Sequence, residues 1–116
     1  MNADLTLNSI VFVKRFDNES KSERASITRG INTPDILTIQ SQEYVDSATK
    51  VPGQRFLLRT DRHDFDASLQ KIDTVFYTIA QIPSTATQAQ VDTALATHKA
   101  AIADASLMAN VLAGQK

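Results

Sequence analysis

The sequence predicts an α+β fold, an antiparallel sheet of about five to six strands followed by two carboxy-terminal helices. Three observations carry this expectation. Runs with period-two alternation and many β-branched or aromatic residues recur as far as Ile82, the three glycines and three prolines mostly punctuate them, and from Ser84 the composition turns Ala-rich. No helical pattern separates the strands, so nothing provides parallel crossovers and an antiparallel meander follows. The 116 residues are expected to form one domain, with strands over 1–83 and helices over 84–116.

Leu5 to Asn8 and Ile10 to Phe16 suit two short strands or one bent one. Asp17 to Ser22 reads as a turn and Glu23 to Arg29 as a mostly polar strand. In Ile36 to Tyr44, Leu37, Ile39 and Ser41 face one way and Thr38, Gln40 and Gln42 the other, giving one dry and one wet side. Val51-Pro52-Gly53 is a turn signal. Beyond it, Arg55 to Phe65 sets Phe56, Leu58 and Thr60 in one row and Arg55, Leu57, Arg59, Asp61 and His63 in the other. Ile72 to Ile82 is a last strand, ended by Pro83, which cannot continue a central ladder.

Thr87 with Gln90 three residues on has the spacing of a helical capping box. Val91, Leu95, His98 and Ile102 recur at steps of four, three and four, a single stripe along a helix. The next large apolar residues, Leu107, Met108, Val111 and Leu112, are out of phase with that stripe by about 200° at 3.6 residues per turn. A break near Asp104 and a second helix capped by Asp104 or Ser106 follow, with Gly114 as terminator. Apolar residues in two phases need more than one surface to cover them, and a sheet together with a partner chain supplies both. A homodimer is the expectation.

Composition removes whole classes of function. With no cysteine, a disulfide framework, a thiolate metal site and a cysteine nucleophile are all excluded. The longest apolar runs are about four residues, far below the roughly 20 of a membrane span. Met1-Asn2-Ala3-Asp4 lacks the basic-then-apolar order of a signal peptide, so a soluble protein of a reducing compartment is expected. Twelve Lys and Arg against thirteen Asp and Glu give a net charge of −1, which argues against a uniformly basic surface. Residues 1–60 hold eight cations and seven acids, and residues 61–116 four and six, so a basic face must come from the first half. There is no Gly-rich phosphate loop, H-E-x-x-H or G-x-S-x-G. No enzyme activity and no cofactor are expected.

The order of these pieces resembles the coat proteins of single-stranded RNA bacteriophages, the leviviruses. The resemblance covers nearly the whole chain: an opening ADLTLNSIVF strand, the polar SERASITRG, the alternating DILTIQSQEYV, the basic QRFLLRTD, then I-P-S-T-A-T leading into Q-V-D-x-A-L and a terminal L-x-x-x-V-L-x-G. It implies an amino-terminal hairpin before the sheet, and dimers whose sheets join edge to edge with each chain's helices over the partner's sheet. Such dimers close an icosahedral T=3 shell, a virion assembled in the cytoplasm of a bacterial host, with the sheet facing single-stranded viral RNA. It also implies that an RNA hairpin is bound to repress replicase translation. Two features depart from the family's pattern. Leu57 stands where a polar inward side chain is expected, and the connection from Phe65 to Lys71 is short for the loop that lines the symmetry axes.

Carried over strand by strand, the resemblance assigns RNA contacts to Thr38, Gln40 and Gln42 on one strand, Arg55 and Arg59 on the next, and Thr74 and Tyr77 on the last, where register is open by one residue. Guanidinium forks suit phosphate oxygens, and Tyr77 suits base stacking. The plain alternative is that Arg55 and Arg59 are solvated strand residues paired with Asp61 or Glu43. Asp61, Arg62, His63, Asp64 and Asp66 have carboxylates that could hold Ca²⁺, but an intervening arginine and no binding-loop glycine favour a solvated strand end or an intersubunit ion-pair site, so no metal is assigned. His98 lies in the helical stripe as a packed or interface histidine without a nucleophile beside it. The rival to a coat subunit is a small cytoplasmic dimeric adaptor whose polar sheet face docks a protein.

Overall fold

The computed structural model describes residues 4–26 and 33–115. Six strands, β1 (Leu5–Leu7), β2 (Ile10–Asp17), β3 (Lys21–Ser26), β4 (Asp35–Val45), β5 (Pro52–Phe65) and β6 (Lys71–Pro83), precede helices α1 (Gln88–Ala103) and α2 (Ala105–Leu112). The strands form one sheet in chain order, and every pairing with a described register is antiparallel. The polar strand expected over Glu23 to Arg29 starts two residues earlier, at Lys21, and its end at Arg29 and the punctuating Gly30 lie outside the described residues.

Polar side chains close the turns. Asn8 and Ser9 both have positive φ, 51° and 61°, which gives the β1–β2 hairpin the backbone twist favoured by two-residue turns. The next turn is built on Asn18, whose Oδ1 accepts from the Ser20 and Lys21 amides at 2.9 and 2.8 Å. Asp46 does the same for the Ala48 and Thr49 amides at 2.8 and 2.9 Å, and Asp66 for those of Ser68 and Gln70 at 2.8 and 2.9 Å. The Thr49 and Ala48 amides hold the Asp46 carboxyl below the ordinary carboxylate value. The turn expected at Val51-Pro52-Gly53 therefore falls earlier, at Asp46 to Lys50. Pro52 and Gly53 are strand residues opposite Val45 and Tyr44, because proline is tolerated as a strand's first residue while Asp46 closes the turn before it.

Residues directly opposite in a ladder share a face. Gln42 lies opposite Arg55, Gln40 opposite Leu57 and Thr38 opposite Arg59, while Ser41, Ile39 and Leu37 oppose Phe56, Leu58 and Thr60 on the other side. Both expected rows are present, and the register merges them into a polar face and an apolar face. The polar face continues into β3 through Lys21, opposite Gln40, and Glu23, opposite Thr38. A bulge at Arg15 interrupts the β2–β3 register and brings that guanidinium within 2.9 Å of Glu23.

The expected dry side is not covered. Among described hydrophobic residues only Phe12 and Leu37 are buried, whereas Phe56, Leu58, Ile72 and Phe76 stand exposed. Charged groups occupy buried positions instead: Arg24, on a strand that reads as mostly polar, is fully buried with Nη1 donating to Ser22 Oγ at 3.1 Å, and Asp35 is buried too.

The helices form a second unit, residues 82–116. The capping box is complete: Thr87 Oγ1 accepts from the Gln90 amide at 3.2 Å, and the Thr87 amide donates to Gln90 Oε1 at 2.9 Å. Asp104 ends α1 in an extended conformation and caps α2, its Oδ1 accepting from the Leu107 amide at 2.8 Å, so the break inferred from the phase slip falls at that residue. Gly114, at φ 85°, donates to Val111 O while the Gln115 amide reaches Asn110 O, the two bonds that terminate a helix through a left-handed residue. Neither helix buries a residue, and His98, expected to be packed or at an interface, is exposed in the single chain. Neither is long and apolar enough to cross a membrane.

Candidate nucleic-acid interface

Three strands, β4, β5 and β6, build the centre of the polar face. Their alternation sets every second side chain on it, and the cross-strand contacts fix which ones from β6. With its amide oxygen turned toward Arg55, Gln81 accepts from Arg55 Nε at 3.0 Å and from Nη2 at 2.7 Å. His63 Nδ1 lies 2.6 Å from Asp73 Oδ1. Gln81, Tyr77 and Asp73 are four residues apart, as are Arg55, Arg59 and His63, so the β6 register follows and its odd-numbered residues belong to this face. Tyr77 is on it. Thr74, three residues away from Tyr77, falls on the apolar face, since an odd separation along a strand reverses the side.

The two arginines differ in their partners. Arg59 holds Asp61 in a bidentate pair, Nε to Oδ1 at 2.7 Å and Nη2 to Oδ2 at 2.9 Å. The Asp61 carboxylate raises Arg59 above the usual guanidinium value, first through these bonds and then through its charge. Arg55 sits over the Tyr44 ring, 5.6 Å from its centroid, with Gln81 on its Nε edge. Both neighbours are neutral, and neither uses Nη1. Glu43, the other expected partner, lies on the opposite side of β4 from Arg55.

Other charges on the face are mostly offset. Arg15 pairs with Glu23 at 2.9 Å, and Lys71 with Asp73 at 3.6 Å. Asp73 is held below the ordinary carboxylate value, chiefly by its bond to His63. Among the described residues, Arg55 and Lys21 alone of this face's Lys and Arg side chains have no carboxylate within ion-pair distance. Gln40 is partly exposed and Gln42 exposed, while Thr38 is buried, with Glu23 and Arg59 as its cross-strand neighbours.

The acidic cluster near the end of β5 separates into individual roles. Asp61 serves Arg59, Arg62 lies 3.4 Å from Asp64 and 3.8 Å from Asp35, His63 meets Asp73, and Asp66 closes its turn. Alternation sends Asp61 and Asp64 to opposite faces, which keeps their carboxylates from converging. Three residues were missed from sequence: Tyr44, Gln81 and Lys21. Tyr44 continues the row Thr38, Gln40, Gln42 at period two, and Gln81 continues that of Tyr77, so their faces were readable. That they converge on Arg55 depends on strand register.

Among solved structures, a chain from the virus-like particle of Wenzhou levi-like virus 1 superposes with a TM-score of 0.63 over 97% of this chain and 96% of that one, at 15% identity. This is the levivirus coat-protein fold. A chain from the virus-like particle of bacteriophage AVE015 matches at a TM-score of 0.61 and 13% identity, over 76% of this chain. The present chain spans 64% of the AVE015 protein's length. No protein-family model matches the sequence, and no curated protein matches it. At such identities the shared levivirus fold fixes the path of the backbone, and activity has to be argued from this chain's own side chains.

Proposed function

We propose that this chain is the coat subunit of a single-stranded RNA phage, a structural and non-enzymatic protein that pairs as homodimers and closes an icosahedral shell around genomic RNA. The observation that carries the reading is the end-to-end match to a chain that forms virus-like particles, 97% of one against 96% of the other. The side chains supply a physical motive for self-association. Two exposed apolar surfaces, one on the sheet and one on the helices, belong to a chain with only two buried hydrophobic residues among those described. Covering them with a second copy removes apolar area from water, the main driving force for association.

In this reading the polar face meets unpaired RNA. Arg55 lies toward phosphates with the Arg59–Asp61 pair beside it, Gln40 and Gln42 toward phosphates or base edges, Thr38 beneath them, and Tyr77 offers a ring for stacking. Repetition over every dimer of the shell lets modest charge per chain retain a genome. Binding of an RNA hairpin to repress replicase translation, T=3 geometry and assembly in the bacterial cytoplasm extend the same proposal. Electron microscopy and size-exclusion chromatography of the purified protein test it. Uniform particles carrying absorbance at nucleic-acid wavelengths are the expected result, and discrete dimers at every salt concentration would replace the coat subunit with a protein-binding adaptor.

A further inference from the structure

The partners of the two central arginines differ in charge, and that difference decides how much of each cation is left for RNA. We infer that Arg55 is the working phosphate fork of the polar face, presented by Tyr44 and Gln81, and that Asp61 restrains Arg59 by cancelling its charge. The inference rests on the reading that this face binds single-stranded RNA.

An arginine has two edges that can meet an oxyanion side by side, one formed by Nε and a terminal nitrogen, the other by its two terminal nitrogens. Gln81 takes the Nε–Nη2 edge of Arg55 at 3.0 and 2.7 Å, and the Tyr44 ring covers one flat side at 5.6 Å. The remaining edge, with both Nη1 hydrogens and the outer Nη2 hydrogen, is left to an incoming oxyanion. Because an amide and a phenol carry no charge, the full positive charge is retained. Held from three strands, the side chain has already lost much of the rotamer freedom that binding would otherwise remove.

Arg59 presents the opposite case. Asp61 occupies its Nε–Nη2 edge with two short charge-assisted bonds and cancels its charge within the same strand. A phosphate approaching Arg59 meets a neutral pair whose carboxylate repels it. The two arginines, four residues apart on β5 and on one face, are therefore unequal, and Gln81 and Asp61 make them so. Gln81 is a positioning residue for Arg55.

The count of phosphates neutralised appears in the salt dependence of binding, with a slope of about −0.7 per contact on single strands, or about a threefold change in affinity per contact between 50 and 200 mM salt. The test is a salt titration of a uridine oligonucleotide against the full-length protein in its natural oligomeric state. Arg55→Gln is expected to reduce the slope by about 0.7 per chain, and the double variant Arg59→Gln/Asp61→Asn, which removes the neutral pair whole, to leave it near wild type. Gln81→Glu should mimic Arg55→Gln, because it gives Arg55 the kind of partner Arg59 has. Asp61→Asn should do the reverse, steepening the slope by about 0.7 and tightening binding at low salt as Arg59 is released. That gain cannot come from misfolding. Equal losses from Arg55→Gln and from the Arg59→Gln/Asp61→Asn double variant, or an unchanged slope in Asp61→Asn, would overturn the inference while leaving RNA binding by the face intact. A wild-type protein with no salt-dependent affinity for the oligonucleotide would instead remove the RNA reading itself, and the inference with it.

Discussion

Placing a carboxylate at Leu58 separates a chain that stands alone from one that is covered by a second copy. Leu58 lies on the apolar face opposite Ile39 and is 50% exposed. Fully burying a leucine or phenylalanine is worth about 1.5–3 kcal/mol, so a half-exposed one leaves about 1 kcal/mol to be gained. Phe56, Leu58, Ile72 and Phe76, 40 to 53% exposed, together leave about 4 kcal/mol per chain, or about 8 kcal/mol for a pair that covers both faces. In an isolated chain, Leu58→Asp is a surface substitution with an effect within about 0.5 kcal/mol. In a covered one it buries an unpaired carboxylate on each side, costing several kcal/mol per chain and offsetting most of the gain. Size-exclusion chromatography with light scattering, alongside circular dichroism, reads the outcome. The expected result is a folded chain, its strand and helix content kept, that no longer forms dimers or particles. Assembly of Leu58→Asp at wild-type concentrations would refute the idea that the apolar face is an interface.

Leu37→Ala removes a side chain that is 1% exposed and should lower unfolding stability by about 3 kcal/mol, read from urea midpoints. Thr87→Ala deletes the acceptor of the α1 capping box and should cost about 1 kcal/mol, most of it restored by Thr87→Ser, by the same measurement. Acid should weaken the β5–β6 pairing through Asp73, whose carboxyl is depressed by His63. A depressed pKa contributes stability above the unfolded value of about 3.9, and that contribution is lost as pH falls through the lower folded value. Asp73→Asn should therefore flatten the fall in urea midpoint below about pH 4.

Local chemistry determined most of what the sequence made readable. Period two in Ile36 to Tyr44 and Arg55 to Phe65 separated the polar row from the apolar one, because a strand alternates its side chains whatever its neighbours do. The Thr87 and Gln90 spacing, the phase slip at Asp104 and the Gly114 terminator all act within about one helical turn, and each stands where the sequence predicts it. Turn position was less legible. Pro52-Gly53 resembles a turn in isolation, yet Asp46 closes the chain six residues earlier, its side-chain carboxylate accepting from the Ala48 and Thr49 amides.

What only the tertiary structure decided was register and partnership. One residue of slip in β6 would exchange Thr74 and Tyr77 between faces, and the Arg55–Gln81 and His63–Asp73 contacts are what fix it. Arg55 and Arg59 look equivalent in sequence, two guanidinium groups in one row. They become distinct because Asp61 reaches Arg59 along its own strand, while Tyr44 and Gln81 reach Arg55 only across two neighbouring strands that pairing brings together. Arg24 is buried for the same kind of reason. Composition sets how many charges a chain carries, but the energy of each depends on the groups a few ångströms away, and those are assembled from distant parts of the chain.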